Sequence, residues 1–138
     1  CHADFSAGRI VDAMEKAWPV RYPRQRIEEL YGSLDANALR ATLERGKPHE
    51  QAVAIAALAE AGARDAAPSV ARQLLNPYPL VRQWAAGALG ALLGPGKCAV
   101  DLTVDDAAIA RQAVACGADP TSLSLARPAA HRDEDPED

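Results

Sequence analysis

Large aromatic side chains are scarce in this sequence: two Trp, three Tyr and one Phe among 138 residues, with a single Met. Burial must come from Leu, Ile, Val and above all Ala. Ala favours helix and lets helices approach closely, but it adds little buried area per residue. Tight helix-on-helix packing around a thin core is expected. No apolar run approaches the roughly 20 residues of a membrane-spanning helix. No secretory leader is recognisable, although the chain opens without Met, which reads as a processed product or an excised segment. A dense basic stripe is also missing, which argues against a nucleic-acid partner. Residues 127–138 carry two arginines against five acidic residues, a net −3 of the chain's −4, so the remainder is almost neutral at −1.

The usual marks of catalysis are absent too. Ser6, Ser33, Ser69, Ser122 and Ser124 have no recognisable His partner, and Gly94-Pro95-Gly96-Lys97 lacks the strand and following helix of a phosphate loop. Glu28-Glu29 reads as a solvated helix face and Asp105-Asp106 as a capping pair. Cys98 and Cys116, 18 residues apart with no Cys or His at metal-ligand spacing, do not form a zinc site. They read as two small buried thiols. The chain is not expected to be an enzyme.

What is present is a 31-residue echo. Pro48, Gln51, Val53, Ala54 and Leu58 are answered by Pro79, Arg82, Trp84, Ala85 and Leu89, and Leu39 and Leu43 by Val70 and Leu74. A fixed period of this length signals stacked helical units, each too small to bury its own apolar face. Leu43, Leu58, Leu74 and Leu89 are therefore expected in the core, and Trp84 with them, because it aligns with Val53 at a position read as core-facing.

Helix boundaries follow from caps and breakers. The first helix runs from Ser6 to Trp18 with Ile10, Val11, Met14, Ala17 and Trp18 on one face, Ser6 or Asp4 as its cap and Pro19 as its stop. A second spans Arg24 to about Gly32 with Ile27, Leu30 and Tyr31 inward. The third is capped by Asp35 and ends at Gly46. The fourth runs from Pro48 to about Ala61. Pro68 begins the fifth; Asn76-Pro77-Tyr78-Pro79 is a stiff connection. The sixth runs from Leu80 to Leu93, and Asp105 and Asp106 cap a last one that stops at Gly117. The organisation expected is an N-terminal segment 1–22, a repeat domain 23–118 and a disordered acidic tail 119–138.

The stretch from Gly62 to Ala86 resembles the HEAT-like repeats first named in phycobilisome lyases, a likeness that covers roughly residues 23–94. In that family an Asp or Asn turn precedes Val-Arg, and the Arg anchors the next turn; Asn76 and Val81-Arg82 occupy those places here. The resemblance implies an all-α, short right-handed solenoid of antiparallel helix pairs. The guanidinium of Arg82 would satisfy carbonyls or a carboxylate at the inter-repeat turn. Gln51 departs from the pattern, so the Arg ladder reads as broken in the middle repeat.

Cys1-His2 admits three readings: the end of a Cys-x-x-Cys-His haem-attachment motif, a lipidated Cys, or a chance boundary. In the first, Cys1 forms a thioether to haem c and His2 ligates the iron. His follows Cys immediately, as the haem reading requires. Phe5, then Trp18-Pro19-Val20-Arg21-Tyr22, then the repeats, are similar to the region after the last haem site of periplasmic multihaem c-type cytochromes with HEAT-like C-terminal regions. That resemblance implies a periplasmic location, electron transfer, and docking on an adjacent haem domain or a protein partner. In an oxidising compartment a Cys98–Cys116 disulfide would close the loop between the sixth and seventh helices. His49, in the first turn of a helix, is a weaker second candidate for a haem ligand, and His131 lies in the tail. The alternatives are a lyase- or chaperone-like repeat protein, for which the basic and aromatic groove residues are missing, and a lipoprotein adaptor anchored through Cys1.

Overall fold

The structure, a computed structural model, describes residues 2–123. These form α1 (Ala7–Ala17), α2 (Arg24–Tyr31), α3 (Ala38–Arg45), α4 (Pro48–Glu60), α5 (Ala67–Arg72), α6 (Pro79–Leu93), α7 (Asp106–Ala115) and α8 (Pro120–Leu123). Single 3₁₀ turns at Arg64–Ala66 and Gln73–Leu75 flank α5. Among the described residues there is no β-strand, only one isolated antiparallel bridge between Ser6 and Asn37. The fold is all-helical, as the composition requires.

The centre is a sandwich of α4 against both α3 and α6, closed by α5 and α7. Leu43, Ile55, Leu58, Val70, Leu74, Val81, Leu89, Leu92 and Ile109 are its largest fully buried side chains. All four leucines of the 31-residue echo are among them. Ala66, Ala67, Ala71, Ala85 and Ala113 fill the intervening space, which is how a core with few aromatics reaches native packing density.

Trp84 is the exception to the echo's expected direction. It is 48% exposed, and its equivalent Val53 is 67% exposed. The alignment of the two positions holds, but both point outward. On α6 the inward stripe is Val81, Ala85, Ala88, Leu89 and Leu92, spaced as one face of a 3.6-residue helix. Trp84 lies on the flank of that stripe, and an interior lined by Ala has no room for an indole.

Four smaller expectations are also corrected. Ala17 and Trp18 do not share the apolar face of α1: the helix ends at Ala17, and Trp18, its extended C-cap, is 58% exposed. Leu30 is 53% exposed: the Ile27–Tyr31 pair, one turn apart, takes the half-buried seam of α2, and Leu30 falls to one side of it. The cap of α3 is Asn37 and not Asp35. Asn37 Oδ1 accepts from Arg40 N at 3.0 Å, while its Nδ2 donates to the Ala3 carbonyl at 2.6 Å, a double role a carboxylate cannot fill. Residues 119–123 are ordered, with the Asp119 carboxylate accepting from Thr121 N at 2.9 Å at the start of α8 and Leu123 packed against the core. Residues 124–138 of the expected tail lie outside the described part.

The N-terminal segment is stitched to the start of α3 by main-chain bonds: Ala7 N to Ala36 O, Gly8 N to Leu34 O, and Ala38 N to Phe5 O. Gly8 permits this approach, since a Cβ there would meet the Leu34 carbonyl oxygen at 2.9 Å. Between α1 and α2, Glu15 gathers the returning chain. Its side chain, only 7% exposed, accepts from Tyr22 N at 2.9 Å, Arg21 at 3.0 Å and Arg24 at 2.9 Å.

Candidate functional site

The turn into α6 holds the most connected polar group of the fold. The Leu43 carbonyl, near the end of α3, accepts from Gln51 Nε2 at 3.1 Å and from Gln73 Nε2 at 3.3 Å. Both amide oxygens, Gln51 Oε1 and Gln73 Oε1, accept in turn from Asn76 Nδ2, at 3.0 and 2.8 Å. Asn76 Oδ1 accepts from Tyr78 N at 3.0 Å, shaping the Pro77–Pro79 connection. Arg82 completes the line, donating from Nε to the Asn76 carbonyl at 2.5 Å and from Nη1 to Asp106 at 2.7 Å. A continuous set of hydrogen bonds therefore links α3, α4, the 73–75 turn, α6 and α7.

Gln73 and Asn76 are both buried, and every buried side-chain nitrogen or oxygen among the described residues has a partner. An incomplete network at this depth would be costly. Gln51 keeps the ladder continuous where Arg was expected, because an amide both donates and accepts and so joins Leu43 to Asn76. Gln73 was not singled out from sequence, although its place three residues after Val70 and beside Leu74 puts a polar residue on an inward stripe. The Arg82 guanidinium also holds the Asp106 carboxyl below its ordinary range, chiefly by the hydrogen bond between them. Arg82 and Asn76 thus meet at the turn into α6, where Arg82 Nε donates to the Asn76 carbonyl.

The outward flanks of α4 and α6 form the second feature. Ala56 and Ala59 of α4 and Gln83, Trp84, Gly87, Ala88 and Ala91 of α6 line an open groove of about 480 Å³. Leu80, one turn before Trp84 on α6, is 54% exposed. Within α6 the single ionisable side chain is Arg82, and it turns away into the polar network. Small apolar residues shape the groove around the Trp84 indole and the Gln83 amide, and no ionisable side chain lines it.

Cys1 lies outside the described residues. His2 is exposed, its ring centroid 4.2 Å from that of Phe5, and the Arg9 guanidinium carbon sits 3.6 Å from the same Phe5 ring centre. His49 is exposed at the start of α4 and remote in sequence from His2; nothing in the structure brings the two together. No group of three or more His, Cys, Asp or Glu capable of holding a metal ion occurs among the described residues.

Cys98 and Cys116 are joined by a disulfide, with their Cα atoms 5.3 Å apart. It ties the loop after α6 to the C-terminal end of α7. The Gln112 amide holds the same loop through Asp101, accepting from its N at 2.6 Å and donating to its carbonyl at 3.1 Å. The disulfide and the Gln112 pair fix α7, and with it Asp106, against the Arg82 end of the polar network. No helix among the described residues is long and apolar enough to cross a membrane.

No protein-family model, no curated protein and no solved structure matches the chain.

Proposed function

We propose that this chain is a non-catalytic protein-interaction module, a short right-handed solenoid of HEAT-like antiparallel helix pairs that docks a protein partner across the α4/α6 face. The observation that carries this reading is the outward, half-exposed Trp84 on a groove without charge. Both tryptophans of this chain are exposed, Trp18 at 58% and Trp84 at 48%, and of the two it is Trp84 that lines the groove. Contiguous apolar patches of this kind mark interaction surfaces, and Trp is the commonest anchor of such surfaces. The polar network and the disulfide support the same reading, since they hold together the helices behind the groove.

The test is photo-crosslinking in the native host with a benzophenone side chain at position 84, and the same probe at the exposed position 111 of α7 as the control. The module reading expects a discrete adduct at 84 and none at 111. Equal labelling at both positions, or none at 84, contradicts it.

A second part of the proposal concerns Cys1-His2: that it closes a covalent haem-attachment site in a periplasmic c-type cytochrome, with the helical module docking against the haem-bearing part. Bound haem c would supply one-electron transfer. Two observations favour it. His2 is solvent-accessible beside the apolar Phe5 ring, so its imidazole is available as a ligand. The Cys98–Cys116 disulfide fits an oxidising compartment. In this reading Cys1 would hold the haem covalently and His2 would ligate its iron. A pyridine haemochrome assay on the protein expressed with its natural upstream residues decides the matter: a c-type spectrum lost on His2→Ala supports it, and no haem contradicts it.

A further inference from the structure

We infer that Asn37 is a positioning residue for the His2 imidazole: its amide, at the start of α3, holds the turn that presents the ring as an iron ligand. This rests on the haem reading of Cys1-His2 and names the part of the fold that controls that site.

His2 is exposed, so the interior does not fix its ring. A tight turn does so instead. The His2 carbonyl accepts from Phe5 N at 3.0 Å, and the two rings lie against each other, centroids 4.2 Å apart and planes 33° from parallel. The turn is held in its turn by α3. Asn37 Nδ2 donates to the Ala3 carbonyl at 2.6 Å, and Ala38 N donates to the Phe5 carbonyl at 3.0 Å. From α1, Arg9 steadies the Phe5 ring, with its guanidinium carbon 3.6 Å from the ring centre and its Nη1 3.8 Å from Asp4.

The chemistry of Asn37 suits the task. Its Oδ1 accepts from Arg40 N at 3.0 Å as the cap of α3, which leaves Nδ2 to face a carbonyl. One orientation of the amide satisfies both neighbours. The cap by itself needs no amide, since Asp and Ser serve there equally well. What the amide adds is the bond to Ala3, the residue next to His2.

Such a restraint matters for a ligating side chain. A mobile imidazole loses rotamer freedom when it binds a metal, and a ring already held in one orientation loses less. Groups that orient a ligand from outside commonly change metal affinity by about 10–100-fold when removed. Here the outer group acts through the backbone of Ala3 and the ring of Phe5.

Asn37→Asp and Asn37→Ser test this, because both keep an acceptor for Arg40 N and remove the donor to Ala3. Both should remain folded by circular dichroism. In the 138-residue chain without haem, proton NMR should show the His2 ring protons displaced upfield by the Phe5 ring, with Phe5→Leu as the undisplaced reference. Either Asn37 variant should lose that displacement. In the protein expressed with its natural upstream residues, the ferric EPR signal that disappears on His2→Ala should be a single set of g values. It should broaden in both Asn37 variants, because g values follow the orientation of the imidazole plane. Leu58→Ala, which weakens the core of α4, should leave the signal unchanged; a merely structural Asn37 would behave as Leu58 does. A displacement absent from the parent, or one that survives both Asn37 variants, overturns the positioning and leaves the haem reading to its own assay. An EPR signal identical in the parent and both variants overturns it too. A displacement that depends on Asn37 in a protein that takes up no haem overturns the haem reading, and with it the ligand that Asn37 would position.

Discussion

Arg82 donates from Nε to the Asn76 carbonyl oxygen at 2.5 Å, across the turn that delivers the chain into α6. That bond joins the half-buried amide of Gln51 and the buried amides of Gln73 and Asn76 to the ion pair with Asp106 on α7. Arg82→Lys should therefore destabilise the fold by about 1–3 kcal/mol, because an ammonium cannot hold the carbonyl and the carboxylate together. Equilibrium urea unfolding checks this. A change indistinguishable from zero would mean that Arg82 does not anchor the turn.

The paired leucines give a second prediction. Leu58 and Leu89 are 1% and 0% exposed at equivalent positions of α4 and α6. Leu58→Ala and Leu89→Ala should each cost about 2–5 kcal/mol, through lost transfer energy and the cavity left behind. The same denaturation measurement reads both, and similar values are expected because the two sites repeat one environment.

The helices were legible in the sequence for identifiable reasons. Pro19, Gly46, Gly62 and Gly94 stop helices where the backbone requires it, and Ser6 and Asp105 cap them with the bonds expected, to Arg9 N at 3.2 Å and Ala108 N at 2.7 Å. The 31-residue alignment located equivalent sites but carried no sign. Val53 and Trp84 are equivalent, yet whether both face in or out depends on the neighbouring helices. In α4 and α6 the prevalence of Ala blurs the contrast between inward and outward faces, so periodicity alone misplaced the indole. The polar network was half legible: Arg82 and Asn76 stood out, whereas Gln51 looked like a break and Gln73 went unnoticed. Their role depends on a carbonyl from α3, brought alongside only by tertiary packing. The groove was not legible at all, because small residues on two helices define it only once those helices lie side by side.

The disulfide supplies a third prediction. Cys98 and Cys116 close a loop with a sequence separation of 18, which restricts the unfolded chain by about 3 kcal/mol in the chain-entropy account. Replacing both cysteines with Ala should lower stability by about 2–4 kcal/mol. The loss should concentrate in α7, read by faster amide exchange at Ile109 and Ala113. Uniform exchange across α3, α4 and α6 would show that the crosslink does not act locally.

Acid should loosen the α1–α2 turn. Glu15 has its carboxyl held below the ordinary value, chiefly by the Tyr22 backbone N–H and further by Arg21 and Arg24, against the opposing effect of desolvation. A depressed folded value means that the stabilisation is present above the usual glutamate pKa of about 4.3 and is lost as pH falls through the lower folded value. Amide exchange at Tyr22 followed from neutral pH downward should show protection lost below pH ~4. Glu15→Gln should remove that pH dependence, and a Tyr22 protection profile identical in the two proteins would contradict the assignment.

The central claim is that Trp84 belongs to a docking face and not to the core, and the unfolding free energy of Trp84→Arg tests it most directly. The variant should lie within about 0.5 kcal/mol of the parent, as a surface substitution does. A loss of about 3–5 kcal/mol, the cost of removing a buried aromatic, would place the indole inside the fold and contradict the claim.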